Sequence, residues 1–373
     1  MEKHEFRKNA ADMIYLTACA INGKIPKQKR IEALDIPKLY EVCQKHILTA
    51  CVAYALESAG INDHDFTQAK EKAIRKNILL DAERMSIFNR LEEEKIWYIP
   101  LKGSILKDWY PNLGMRQMSD NDILFDKNRR DDVRCVMKDH GFELKAAYEA
   151  VDEYVKEPIY NFEMHSELFM YYQVGDIADH YLEIKSRLLK DENNGYGYHF
   201  SNEDFYLFML AHEYKHFIAG GTGVRSLVDS YIFLRKFGRS LDWKYIAAEL
   251  EKLGIADFEL NNRKLAINVF SMKQLSLEEK KQLDYYVMSG TYGTHENSVK
   301  NRVRYNRKGS DLRYLMYRLF PPMRMLKASV PWAAKSKLLI PAAYIYRFFK
   351  GATVNRKVVA EELKYLGKSD QRF

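Results

Sequence analysis

From residue 5 to about residue 96, apolar residues recur three and four positions apart, the spacing that gathers them on one side of an α-helix. The clearest run is Ile74, Ile78, Ala82, Met85, Phe88 and Leu91, which predicts a long helix with one apolar stripe, ending near Glu94 and Lys95. The period then changes. IWYIPLKG is rich in aromatic and β-branched residues and predicts a strand entering a turn at Gly103. ILKDWY predicts a short helix closed by Pro111, Asn112 and Gly114, and DNDILF a second strand. DKNRRDDVRCVMKDHG predicts a helix ending at Gly141, with YNFEMHSELF and HYLEIKSRL as further strands. From about residue 202 the helical spacing returns. Ser201 caps it, with Asp204 three residues on, ahead of FYLFMLAHEYKHF. Gly220, Gly221 and Gly223 interrupt the pattern before VRSLVDSYIFLRKFG starts another helix. The expectation is an α+β fold: a helical region over 1–95, a sheet-containing core over 96–195, and a helical region with a basic end over 196–373.

With 373 residues, 47% hydrophobic, the chain can bury a sizeable core. Its net charge of +8 is unevenly spread: residues 300–373 hold 18 Lys and Arg against 4 Asp and Glu, leaving the first 299 residues at −6. A basic end on an acidic body points to a polyanionic partner, RNA among them, or to a solvated basic helical face. Cys19, Cys43, Cys51 and Cys135 show no zinc or redox spacing and read as small apolar residues in a reducing cytoplasm. The charged start MEKHEFRKNAADMIY has no secretory apolar core, and stretches such as LLIPAAYIY fall short of the roughly 20 residues of a membrane span. A cytoplasmic location is expected.

The chemistry centres on SDNDILF, where Asp120 and Asp122 share one face of a strand while Ile123 and Phe125 face the core. Two adjacent carboxylates are costly unless a cation lies between them, and Mg²⁺ or Mn²⁺ takes such ligands, leaving positions for substrate phosphates. Upstream, Lys102-Gly103-Ser104 at a strand-to-helix turn is suited to cradle phosphate. Downstream, Glu163, His165 and Glu167 share a strand face, and Glu163 is the candidate third acid, with His165 to orient it.

A strand, Gly-Ser, a helix, then D-x-D on the next strand and a later acid is similar to the nucleotidyltransferase superfold shared with polymerase beta. More narrowly, IPLKGSIL, YPNLGMRQMSDNDILF, NFEMHSELF, HEYKHFIAGGTGVRSLVD, LFPP and LIPAAYIYRFF resemble a poorly characterised bacterial nucleotidyltransferase family. The resemblance implies a mixed, twisted sheet with packed helices. It also implies that Gly103 and Ser104 bind triphosphate and that Asp120, Asp122 and Glu163 bind metal. Asn121 stands where many relatives have an apolar residue, and its side chain is expected to point away from the metal. The expected reaction moves a nucleoside monophosphate from an NTP, ATP first, to an unidentified acceptor. Lys102, Arg116, His165, Lys215, His216 and Arg225 are the further expected nucleotide contacts.

Two other readings stand beside it. The chain could be a silent nucleotide- or RNA-binding regulator. Alternatively, His212-Glu213-Tyr214-Lys215-His216 fits the H-E-x-x-H pattern of zinc proteases. Against the protease stand the lack of a downstream third ligand at the usual spacing and Lys215 beside the would-be metal. Arg225 and Asp229 are also spaced to form a helix-surface ion pair.

Overall fold

The computed structural model describes residues 1–193, 195–307 and 311–364, except 324, 327–329, 331, 334–335 and 355. It is an α+β fold in which a five-stranded sheet sits between helical regions. The N-terminal helices are α1 (Lys3–Ile21), α2 (Ile36–His46), α3 (Thr49–Ser58) and the 30-residue α4 (His64–Glu93). Asp63 starts α4 by accepting the Asp65 and Phe66 amide hydrogens at 3.1 Å. The strands are β1 (Tyr98–Pro100), β2 (Asn121–Phe125), β3 (Glu143–Ala147), β4 (Val151–Lys156) and β5 (Tyr160–His165), with one-turn α5 (Gly103–Leu106) after β1 and α6 (Arg130–Asp139) after β2. The sheet order is β1-β2-β5-β4-β3, and only the β2–β5 pair is parallel.

Strand alternation sends side chains to two different cores. Ile123, Phe125, Phe162 and Met164 pack with Leu80, Ile87 and Leu91 of α4. Leu124, on the opposite face, packs with Phe205 and Phe208 of the C-terminal helices. These are α7 (Asn202–Ala219), α8 (Val224–Phe237), α9 (Trp243–Leu253), α10 (Ala256–Phe270) and α11 (Leu277–Ser289). Ser201 caps α7, accepting the Asp204 amide hydrogen at 3.0 Å. A third core joins regions far apart in sequence: Leu16, Val52 and Leu56 of α1 and α3 pack with Leu227, Phe270 and Tyr286 of α8, α10 and α11. Farther on, α12 (His295–Arg307), α13 (Asp311–Leu319), α14 (Ile340–Ala352) and α15 (Arg356–Leu363) follow. Lys308, Arg324, Lys327, Lys335, Lys368 and Arg372 lie outside the described residues, and with them part of the basic end expected to meet a polyanion. Among the described residues, no helix is long and apolar enough to cross a membrane.

Three expectations change. The α4 stripe holds at Phe88 and Leu91, which are buried, but shifts before them: Ile78 and Met85 are about half exposed, at 53% and 52%, whereas Ala73, Asn77, Leu80, Arg84 and Ile87 are buried. Asn77 and Arg84 belong to the buried face because they hold the chain entering β2. Asn77 Nδ2 donates to the Arg116 carbonyl at 3.2 Å, and Arg84 donates to Asn121 Oδ1 at 2.9 Å. HYLEIKSRL is no strand; it contains the end of a short helix (Asp176–His180) and a 3-10 turn (Ile184–Arg187). The hairpin of β3 and β4 was not expected, since Glu143–Ala147 is a mostly exposed edge strand without the apolar alternation of a half-buried one.

Candidate active site

The parallel register places Asp122 directly beside Glu163, and Leu124 beside His165. Because residues two apart on a strand share a face, Asp122, Glu163 and His165 converge on the side of the sheet turned towards α7. Their candidate ligand atoms lie within 4.8 Å of one another. His165 Nε2 donates to Asp122 Oδ1 at 3.1 Å and lies 3.5 Å from Glu163 Oε2. Asn121 points the other way, as expected, with its Nδ2 donating to the Leu80 carbonyl at 3.0 Å.

Asp120 precedes β2 and rims the same cleft, but it is His165, not Asp120, that forms the close group with the two acids. Burial, then the nearby Asp122 and Glu163, push the Asp120 carboxyl up to about 6. Burial also opposes charge on Asp122, but Lys102 and the hydrogen bond from His165 outweigh it and hold its carboxyl well below the usual range.

Facing this acidic wall across a cleft of about 460 Å³ is a basic one. Lys102 Nζ lies 3.8 Å from Asp122 Oδ2 and donates to His212 Nε2. Lys215 is pushed down to about 8 by burial and then by Lys102. Arg225 donates to the Gln117 carbonyl at 3.3 Å, near Asp120. His216 rims the cleft beside them.

The turn after β1 works differently from the expected phosphate cradle. Lys102 carries the strained backbone, with φ 36° and ψ −99°, a region costly for a residue with a Cβ. Gly103 makes room: a Cβ there would lie 2.7 Å from Arg116 Nη1. Ser104 is buried and its hydroxyl donates to the Leu101 carbonyl at 2.9 Å, so it braces the turn instead of lining the cleft. Arg116 is likewise committed, donating from Nε and Nη2 to the two oxygens of Asp229 at 2.8 and 3.0 Å. Tyr110 donates to the same carboxylate at 2.7 Å, so Asp229 serves Arg116 in place of the helix-surface pair with Arg225.

The model of a family described as "uncharacterised nucleotidyltransferase" matches residues 32–271, well over half of the chain. The chain belongs to this family. No curated protein and no solved structure matches it. The matched span contains both walls of the cleft.

In this member of the family the H-E-x-x-H residues have other duties than binding zinc. Lys102 Nζ directs its donor at His212 Nε2, occupying the lone pair that a zinc ion would need, and His216 Nε2 lies 3.1 Å from the same nitrogen. Burial, then Lys102 and Lys215, hold His212 well below its ordinary pKa and keep it neutral. Glu213 turns into the helical core, where Oε1 accepts from Tyr286 at 2.9 Å and Oε2 from Asn262 at 2.9 Å. Among the described residues, the group suited to a metal is Asp122, Glu163 and His165.

The chain also uses its glycine turn for close packing. Gly221 has φ +97°, and a Cβ there would meet Ser289 Oγ at 2.1 Å. Sequence reasoning missed His212 as a partner of Lys102, and Asp229 as the anchor of Arg116 and Tyr110. His212 had a signal, since 212, 215 and 216 share a helix face. The Asp229 contacts, more than 110 residues apart in sequence, had none.

Proposed function

We propose that this protein transfers a nucleoside monophosphate from an NTP, ATP first, to a hydroxyl of an acceptor and releases pyrophosphate. The observation that carries the proposal is the in-register pairing of Asp122 with Glu163 beneath His165, across a cleft from Lys102, Lys215 and Arg225. The donor set fits a divalent cation: two carboxylates and an imidazole suit Mn²⁺, and the carboxylates alone, with His165 donating to them, suit Mg²⁺. Asp122 and Glu163 would hold the ion with His165, and Asp120 stands at their edge. When bound, the ion supplies charge neutralisation to the triphosphate and acidity to the acceptor hydroxyl.

The chain's own residues supply the rest. Lys102, Lys215 and Arg225 draw the polyphosphate to the wall opposite the acids, with His216 at the rim. Gly103 sets the approach of the turn, and Arg116 braces it through Asp229. Glu163 takes the acceptor proton as the acceptor oxygen bonds to the α-phosphorus and the bond from that phosphorus to the pyrophosphate oxygen breaks. Rate enhancement then comes from positioning and fixed charge, as in phosphoryl transfer generally.

The test is incubation of the pure protein with each labelled NTP, Mg²⁺ or Mn²⁺ and fractionated cell extract, following label transfer and pyrophosphate release. Wild-type protein should label one fraction, and Asp122→Asn and Glu163→Gln should not. Full activity in both variants, or NTP binding without any pyrophosphate release in the wild type, would defeat the proposal; the latter result would favour a silent binding protein.

A further inference from the structure

Beside the catalytic cleft lies a second, larger hollow of about 950 Å³, bounded by α4, the corner between α2 and α3, the loop into β2 and the start of β5. It falls in the size range of small-molecule sites, roughly 300–1,000 Å³. Two features join it to the cleft. Ser119 lines both. Asn161 lines the hollow and Glu163 the cleft, and these residues are two apart on β5, so they share a strand face about 6–7 Å apart. Ser119 is thus the seam at which a molecule in the hollow would meet the cleft that Glu163 lines.

The lining identifies the chemistry of that molecule. Lys72, Arg75 and Lys76 stand at i, i+3 and i+4 on α4 and so share one helix face, and Glu71 is the one acid among the lining residues. Lys76 Nζ is committed to the Ser119 carbonyl at 2.8 Å, fixing the seam between the two spaces. Lys72 and Arg75 have no ion pair with a carboxylate among the described residues, so their charge is available to a ligand. The amides of Gln44, Gln117 and Asn161 add donors and acceptors for hydroxyls or bases. Among the described residues, the hollow is lined by no carboxylate group suited to a metal, which distinguishes it from the triphosphate side.

We propose that this hollow is the acceptor site, and that the acceptor carries a phosphate held by Lys72 and Arg75 while its hydroxyl passes Ser119 to Glu163. The inference rests on the transfer reaction proposed above. Phosphate chemistry is shared by a nucleotide strand end and by a sugar phosphate, and two probes separate them: the dinucleotide pApA and ribose 5-phosphate.

Binding of each probe to the full chain is measured by calorimetry across a salt series, for wild type, Lys72→Glu/Arg75→Glu, Ala69→Trp and Asp122→Asn. Ala69 lines the hollow, and a tryptophan there plugs it without changing charge. At least one probe should bind the wild type. The charge-reversed variant should weaken it by about tenfold or more and flatten the salt slope by about 2. Ala69→Trp should weaken it too, guarding against misfolding of the double variant, and Asp122→Asn should bind as wild type because Asp122 lies outside the hollow. Stronger retention of pApA or of ribose 5-phosphate names the source of the phosphate. Binding of neither probe, or binding unaffected by both hollow variants, overturns the acceptor site. Undiminished turnover by Asp122→Asn would instead overturn the transfer reaction, so the two failures are distinct.

Discussion

The two walls of the candidate cleft are built on different principles. The sheet wall consists of residues two apart on neighbouring strands, Asp122 on β2 and Glu163 and His165 on β5, aligned by backbone register. The helical wall consists of residues three and four apart on α7, His212, Lys215 and His216, and His212 is tied to the sheet side by Lys102. On the sheet, backbone hydrogen bonds fix side-chain position directly. On the helix, the same sequence pattern fits a zinc site or a phosphate-facing surface, and a lysine 110 residues upstream decides between them. A local motif thus speaks for itself only when its geometry is closed within the element that carries it.

If the sheet wall is the reacting one, Asp122→Asn should lower pyrophosphate release about a thousandfold, while His216→Ala, on the opposite rim, lowers it far less; steady-state assays with Mg²⁺ compare them. The helical side is anchored by the buried bridge from Arg116 to Asp229. Asp229→Ala leaves that guanidinium unpaired and should cost about 3–5 kcal/mol in urea unfolding. Behind the sheet, Leu80→Ala should cost about 2–5 kcal/mol, because Leu80 packs against β2.

The helical side also carries a pH signature, set by a carboxyl that faces the helical core instead of the cleft. Burial pushes Glu213 up to about 7 from its ordinary 4.5, so the folded chain holds this proton more tightly than the unfolded one. Its contribution to stability is therefore full below about pH 4.5 and is lost as pH rises through about 7, a change of about 3 kcal/mol. Unfolding midpoints from pH 4.5 to 8 should fall less steeply in Glu213→Gln than in wild type. The smallest effect is expected from Ile78→Ala, within about 0.5 kcal/mol, since Ile78 faces solvent. A large loss there would restore the apolar stripe read from the sequence.

That misread stripe shows where sequence reading loses its grip. Ile74, Ile78 and Met85 are apolar at helical spacing, yet the buried face of α4 includes Asn77 and Arg84. Each of those polar groups has its partner on the segment from Arg116 to Asn121, and a partner distant in sequence changes which face is favourable to bury. Ser104 was misread in a similar way: a hydroxyl beside a glycine turn fits a phosphate cradle until the Leu101 carbonyl is seen to take it. The edge strand β3 escaped because a strand exposed on both faces needs no alternation. By contrast, the strands carrying Asp122 and Glu163, the cap at Ser201 and the turn of Asn121 away from the cleft were legible, since each depends on spacing or capping within a few residues.

The sequence by itself determined the acids, their strand faces and the helices around them, because strand and helix periods act over short stretches of backbone. Only the tertiary structure decided that β2 and β5 lie parallel and in register, that His165 joins the acids more closely than Asp120, and that α7 closes the cleft with Lys102. Those outcomes depend on how three cores pack against one another, and packing couples residues a hundred or more positions apart that no local pattern connects.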